Sequence, residues 1–390
     1  MSAWVKKLAP RSPTEAHRVS TPLELFFDLV FVVAINVAAG ALHHDLAEHH
    51  IRHGLTSYAM VIFAISWAWI NFAWFASAYD NDDVLYRIAV FVQMTGALVL
   101  AAGIERAFTE RDIKLVVVGY VIMRLALVSL WIRAALADPA HRSTDLRFAA
   151  GITLVQLAWI ALGFSVGEVR LWMFVALMLC ELSVPVIAER RNRTTWHPEH
   201  IGERYGLFTI IVLGEAVLAS ALAIQTAVDD RLFDRQMVAI VAGSLVILYM
   251  MWWIYFEYTY RAEEVLTSTS RDFTWGYGHI VLWGAVAAVG VGIGLCIDYA
   301  THHTELSRTG VQAVLAVAVA VYLISLWLFH DLAHGHSAAQ RFVTPLVAAI
   351  VIATVWLPYG PVWIALLLVG LAAFRTAREQ RHPEFEHVTH

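Results

Sequence analysis

The chain has 390 residues, 59% of them hydrophobic and 15% charged, with a formal net charge of −5. Soluble domains carry about 25% charged residues, so a soluble globular protein is excluded, and the absence of a basic stripe excludes a nucleic-acid partner. The two cysteines, Cys180 and Cys296, lie in apolar stretches and imply neither a disulfide framework nor a thiolate metal site.

Apolar runs near the ~20 residues needed to cross a bilayer recur along the whole chain. In chain order they are 22–43, 55–78, 86–105, 113–134, 148–167, 170–188, 203–224, 237–257, 275–298, 311–329, 341–358 and 361–375. The fold class expected is therefore an all-α polytopic membrane protein with about 12 transmembrane helices. Ala39-Gly40-Ala41 has the small residues of a signal cleavage site, but Asp28 and Asn36 interrupt the first run, so a retained helix is expected. Pro358-Tyr359-Gly360-Pro361 reads as a tight turn between the last two runs. Most of the 27 lysines and arginines fall on the segments that share a side with the N-terminus. That places both termini in the cytoplasm of a multi-pass protein.

The second half repeats the first. Ser129-Leu130-Trp131-Ile132 returns as Ser325-Leu326-Trp327-Leu328, and Trp69-Ile70-Asn71-Phe72 as Trp253-Ile254-Tyr255-Phe256. Glu24-Leu25-Phe26 aligns with Glu203-Arg204-Tyr205, Arg147-Phe148 with Arg341-Phe342, and Trp172 with Trp363. Six spans return the chain to its starting side, so two parallel six-helix repeats about an axis along the membrane normal are expected. The division is a cytoplasmic segment 1–21, a first repeat 22–188, a cytoplasmic linker 189–202, a second repeat 203–375 and a cytoplasmic tail 376–390.

Thr21-Pro22-Leu23-Glu24-Leu25-Phe26-Phe27-Asp28-Leu29-Val30-Phe31 resembles the opening signature of the bacterial low-temperature-requirement protein A family. The stretch Glu203-Arg204-Tyr205-Gly206-Leu207-Phe208-Thr209-Ile210-Ile211-Val212-Leu213-Gly214-Glu215 is similar to that family's second signature. The resemblance covers nearly the whole chain. It implies a polytopic protein of the bacterial inner membrane linked to growth in the cold, and it implies no chemistry. Phe26-Phe27-Asp28 also resembles, more distantly, the Phe-Ser-Asp motif of the six-helix-repeat lysosomal and bacterial potassium-channel family. Phe27 stands in place of the serine and Leu207 opposite Asp28, so only the architecture carries over.

Ionisable groups inside lipid are rare and mark pathways or packed partners. At ~1.5 Å per residue, Asn36 and Glu215 lie ~18 Å beyond Glu24 and Glu203, near the bilayer centre. Arg124 and Glu181 reach a similar depth from the other side. Glu24 and Asp28 share a helix face closer to the cytoplasm, and Glu203 and Arg204 open the seventh span. These eight residues are the candidates for an ion or proton pathway, with Glu215 as the titrating member at mid-depth. The alternative is a structural network in which Arg124 pairs with Glu181 or Glu215.

His43-His44-Asp45-Leu46-Ala47-Glu48-His49-His50-Ile51-Arg52-His53 spaces His44, Glu48, His49 and His53 as weak metal-ligand candidates on a helix. His330, Asp331, His334 and His336 make a similar group, and His197 and His200 precede the seventh span. His279 alone lies within a span, where a bis-histidine haem needs two, so no cofactor is expected. Three functions compete: a channel or transporter for an ion, proton or small solute, a structural or regulatory protein of the cold-adapted membrane, and an intramembrane enzyme acting on lipid or quinone. No nucleophile–base spacing or zinc-protease motif supports the enzyme. The expected partners are membrane lipid, an unidentified ion or small solute, and further copies of the chain as a homo-oligomer.

Overall fold

A computed structural model describes residues 6–12, 15, 18–164, 171–229, 234–259, 269–331 and 338–379. Among these residues there are helices and no strand. The helices are α1 (Pro22–Ala47), α2 (Ile51–Tyr79), α3 (Val84–Thr109), α4 (Lys114–Ala137), α5 (Arg142–Gly163) and α6 (Leu171–Ala188). There follow α7 (Pro198–Asp229), α8 (Arg235–Thr259), α9 (Thr269–Ala300), α10 (Arg308–Leu326), α11 (Ala338–Ala353) and α12 (Gly360–Glu379). A π-helical turn, Trp327–Asp331, extends α10, and a 3-10 turn, Thr354–Trp356, closes α11.

Local chemistry sets several of the starts. Thr21 Oγ1 accepts from the Glu24 amide (3.3 Å) while Glu24 Oε2 accepts from the Thr21 amide (2.8 Å). This reciprocal capping box opens α1. Asp83 Oδ1 caps α3 by accepting from the Tyr86 amide (2.8 Å), and Ser307 Oγ caps α10 through Gly310 (3.1 Å). Pro198 occupies the first position of α7, where its missing N–H costs nothing.

Among the described residues, eleven helices are long and apolar enough to cross a membrane. The sequence led us to expect twelve. The run at 341–358 forms only a shorter apolar helix, Phe342–Trp356. At ~1.5 Å per residue that apolar part of the helix is ~22 Å against a hydrocarbon core of ~30 Å. It stops at the expected turn, where Tyr359 takes φ 57° and Pro358 O accepts from Trp363 Nε1 (3.0 Å).

The chain divides into two compact units, Met1–Leu42 with His50–Ile211, and His43–His49 with Val212–His390. The boundary falls inside α7. In the first unit α2 is the core helix, 78% of its apolar window being buried. The packing of α3 on α4 rests on small residues: a Cβ added to Gly119 would lie 2.3 Å from Leu100 N, and one on Gly96 would lie 2.7 Å from Gly119 O. The segment before α1 is pinned to the end of α2 and the start of α3. Its Leu8 is fully buried, the Lys6 amide donates to Asp83 (2.8 Å), and Arg18 Nη2 donates to Ala76 O (2.9 Å). In the second unit α9 is the core helix, with 83% of its window buried, and α10 and α8 pack on it.

Candidate functional site

In the first unit, Glu24 and Asp28 lie one turn apart on the buried face of α1. Arg204, on the first turns of α7, reaches both: Nη1 is 2.8 Å from Glu24 Oε1 and Nη2 donates to Asp28 Oδ1 at 2.5 Å. Trp69 of α2 donates its indole N–H to the same Asp28 oxygen (2.7 Å), and the Arg204 guanidinium lies over the Trp69 ring, 5.4 Å from its centre. His200, one turn before Arg204, places Nε2 3.3 Å from Glu24 Oε1. All four ionisable residues have no exposed surface. Two segments nearly 180 residues apart therefore meet through their charges, and these are the segments on which the family resemblance rests.

The charges do not balance within this cluster. Two carboxylates face one guanidinium and one imidazole that is charged only when it carries a second proton. Asp28 Oδ1 holds two donors, yet Asp28 Oδ2 is buried with no hydrogen-bond partner among the described residues. His200 Nδ1 is likewise buried and unpartnered. A bare carboxylate oxygen in a low-dielectric interior is costly, and a proton is the smallest group that relieves it.

A second buried ion pair joins Arg124 of α4 to Glu181 of α6. Glu181 also accepts from Trp67 Nε1 (2.9 Å) and Tyr120 OH (3.3 Å). One arginine meets one carboxylate here. The remaining candidates lie elsewhere. Glu203 is half-buried and accepts from the Ser20 amide (3.2 Å), which ties down the segment before α1. Asn36 is exposed, and Glu215 is half-buried in the second unit. Arg124 is thus paired by Glu181 rather than by Glu215.

The residues that sequence reasoning missed are the tryptophans. Trp67 and Trp69 read as packing and anchoring groups, yet each brings an indole N–H to a buried acid. The signal was available: an indole N–H far from the water interface needs an acceptor.

Outside the spans, burial pushes the Asp80 carboxyl up to about 6, with nearby Glu24 adding to the effect and the Asp82 amide, Arg18 and Arg11 (4.0 Å away) opposing it only in part. Burial acts on Asp83 too, but Arg133 and the amides of Tyr86 and Lys6 outweigh it and hold Asp83 down at about 2.

Among the described residues no group of three or more His, Cys, Asp or Glu is arranged to hold a metal. His44 Nε2 stands 3.6 Å from Glu48 Oε1, both exposed; His49 takes φ 63°; and His53 packs edge-on to Phe108. In the second unit His43 pairs with Asp298 (2.8 Å). His334 and His336 lie outside the described residues, as do the side chains of His330 and Asp331. His279 is held at both nitrogens: Nδ1 lies 2.8 Å from Trp275 O, and Nε2 lies 3.2 Å from Tyr255 OH.

Comparison with known proteins fits this placement. Residues 19–374 match the model of the bacterial low temperature requirement A protein, LtrA. The chain belongs to the LtrA family. Within it, an uncharacterized protein of Rhizobium meliloti (strain 1021) is 29% identical over 328 residues, covering 79% of this chain and 76% of that protein. The match begins just before the LtrA capping box and ends in α12, so it contains both buried ion clusters. With eleven helices among the described residues long and apolar enough to cross a membrane, and with this family, the chain is a multi-pass membrane protein.

Proposed function

We propose that this LtrA protein is a channel or transporter of the bacterial inner membrane, with both termini in the cytoplasm, and that it handles protons at the Glu24–Asp28–Arg204–His200 cluster. The observation that carries the reading is the unpartnered Asp28 Oδ2 beside an arginine already shared with Glu24. A cluster with one excess carboxylate reaches neutrality by binding one proton, on Asp28 Oδ2 or on His200. Releasing that proton restores the excess charge, so the cluster has two states that differ by one proton. Such a pair of states is what proton-coupled movement of an ion or small solute requires. Sequence depth alone favoured Glu215 as the titrating group; full burial and charge imbalance favour Asp28.

The helix sequence matches support two parallel six-helix repeats, 22–188 and 203–375, as the frame of the pathway; superposing the two segments in an experimental structure tests that part. The function is tested in proteoliposomes holding an internal pH dye. An inward proton gradient should produce protein-dependent proton movement, lost in Asp28→Asn. Equal movement in wild type and Asp28→Asn, with both folded, rejects the reading in favour of a structural role in the membrane.

A further inference from the structure

The Arg124–Glu181 pair is neutral, yet the groups around it are not satisfied. Arg124 Nε and Nη1, Gln93 Nε2, both amide atoms of Gln156 and Trp159 Nε1 are buried without a hydrogen-bond partner among the described residues. Close helix contacts fix their levels. Gly163 of α5 lies against Val117 of α4, a Cβ there falling 2.7 Å from Val117 Cγ2. Two turns back along α5 is Gln156, and two turns on along the antiparallel α4 is Arg124, on the same faces. Gly96 of α3 lies against Gly119 and Met123 of α4. One turn back along α3 is Gln93, at the level of Arg124. Three helices therefore bring Gln93, Arg124 and Gln156 to one buried layer, and Glu181 joins it through its ion pair.

A cavity of about 70 Å³ adjoins this layer. Its walls include Val61, Phe63, Val117, Tyr120, Trp159 and Phe174, so it is almost wholly apolar. Tyr120 is one turn from Arg124 and Trp159 one turn from Gln156. Tyr120 lines the cavity with its ring and donates its hydroxyl to Glu181 (3.3 Å). The cavity thus ends at Tyr120 and at Trp159, whose own indole N–H is unpaired, each one helical turn from the polar layer.

We propose that this is a binding site for a small neutral molecule with a carbonyl or hydroxyl oxygen and a short apolar body. The oxygen accepts from Gln93, Arg124 and Gln156, and the apolar part fills the cavity. The unpaired atoms are donors apart from Gln156 Oε1, so the ligand must offer an acceptor. Arg124 is already neutralised by Glu181, so an anionic ligand would bring an uncompensated charge into the interior. The site is separate from the proton cluster and stands or falls independently of it.

The test uses the full-length protein in nanodiscs and three photoreactive probes of one chain length, each with a diazirine: an alkyl ketone, the plain alkane and the alkyl carboxylate. After irradiation, labelled peptides are mapped by mass spectrometry. The ketone should label residues 113–120, 159–163 and 171–174 about tenfold more than either control, the worth of one or two hydrogen bonds. Gln156→Leu and Gln93→Leu should each cut that labelling about fivefold while leaving the melting temperature equal or higher, because each removes an unpaired buried amide. Ala64 is a further wall of the cavity, and Ala64→Phe, which fills it and leaves the polar layer alone, should block all three probes and serves if a leucine variant fails to fold. Equal labelling by ketone and alkane would mean a bare apolar cavity. No labelling would mean a layer that holds water only. Ketone labelling unchanged in both leucine variants would put the binding elsewhere. Each of these three results overturns the proposal.

Discussion

Arg124 faces one carboxylate and Arg204 faces two, and both sets lie fully buried in the same unit. Each set also takes an indole N–H from α2, Trp67 for Glu181 and Trp69 for Asp28. What separates them is charge balance. The Arg124–Glu181 pair is neutral as it stands, so it serves to hold α4 to α6 and gains nothing from a proton. The Arg204 cluster leaves Asp28 Oδ2 without a hydrogen-bond partner among the described residues, and the proposed one-proton change of charge rests on this. On that proposal, counting partners rather than depth separates the structural pair from the titratable one.

The largest expected effect comes from breaking the balanced pair. Glu181→Gln leaves Arg124 buried and unpaired, which should cost about 3–5 kcal/mol. Thermal unfolding in detergent should register it, and the double replacement Arg124→Met with Glu181→Leu should recover most of the loss. If Glu181→Gln melts with the wild type, the pair is not the structural member.

A related contrast holds outside the spans, where burial outweighs Arg18 and Arg11 at Asp80 but Arg133 outweighs burial at Asp83. The folded value of Asp80, about 6, lies above that of the unfolded chain. Its protonated form is favoured by folding, so this part of the stability is full below about pH 4 and is lost as the pH rises through 6. Asp80→Asn should therefore stabilise the protein by roughly 2–3 kcal/mol at pH 7 to 8 and have no effect near pH 4. A stabilisation independent of pH would show that Asp80 does not titrate as stated.

Trp69→Phe keeps the ring over Arg204 and removes one hydrogen bond to a charged group, worth about 1.5–3 kcal/mol. It should lower thermal stability in detergent by that order. A variant that melts with the wild type would contradict the assigned hydrogen bond.

The membrane class and most of the helix spans were legible because hydropathy is a local signal; intramembrane charge pointed to Glu24, Asp28, Arg204, Arg124 and Glu181 but not to which of them meet, and Asn36 and Glu215 lie apart from both clusters. All twelve helices are there among the described residues, but the eleventh run, 341–358, forms an apolar helix shorter than a span because it ends at the Pro358-Tyr359-Gly360 turn. Partner choice was not legible: Arg124 had two acids at similar depth, and only packing of α4 near α6 selects Glu181. Arg204 looked like an interfacial group at the start of a span, yet the capping box at Thr21 and Glu24 turns the start of α1 so that Glu24 and Asp28 both meet it. Burial also departs from the sequence repeat, since the core helix is the second of the first six spans but the third of the later ones.

Asp28→Asn is expected to change stability least, by under about 1 kcal/mol, because the amide oxygen still accepts from Trp69 and Arg204 while the excess charge disappears. It also bears most directly on the proton-binding cluster. Infrared difference spectra of the purified protein, recorded across a pH titration with carbon-13-labelled aspartate, read the protonated carboxyl itself. A carboxylic-acid carbonyl band that shifts with the isotope, grows as pH falls and is absent in Asp28→Asn is the predicted result. A spectrum that is identical in wild type and Asp28→Asn would contradict it.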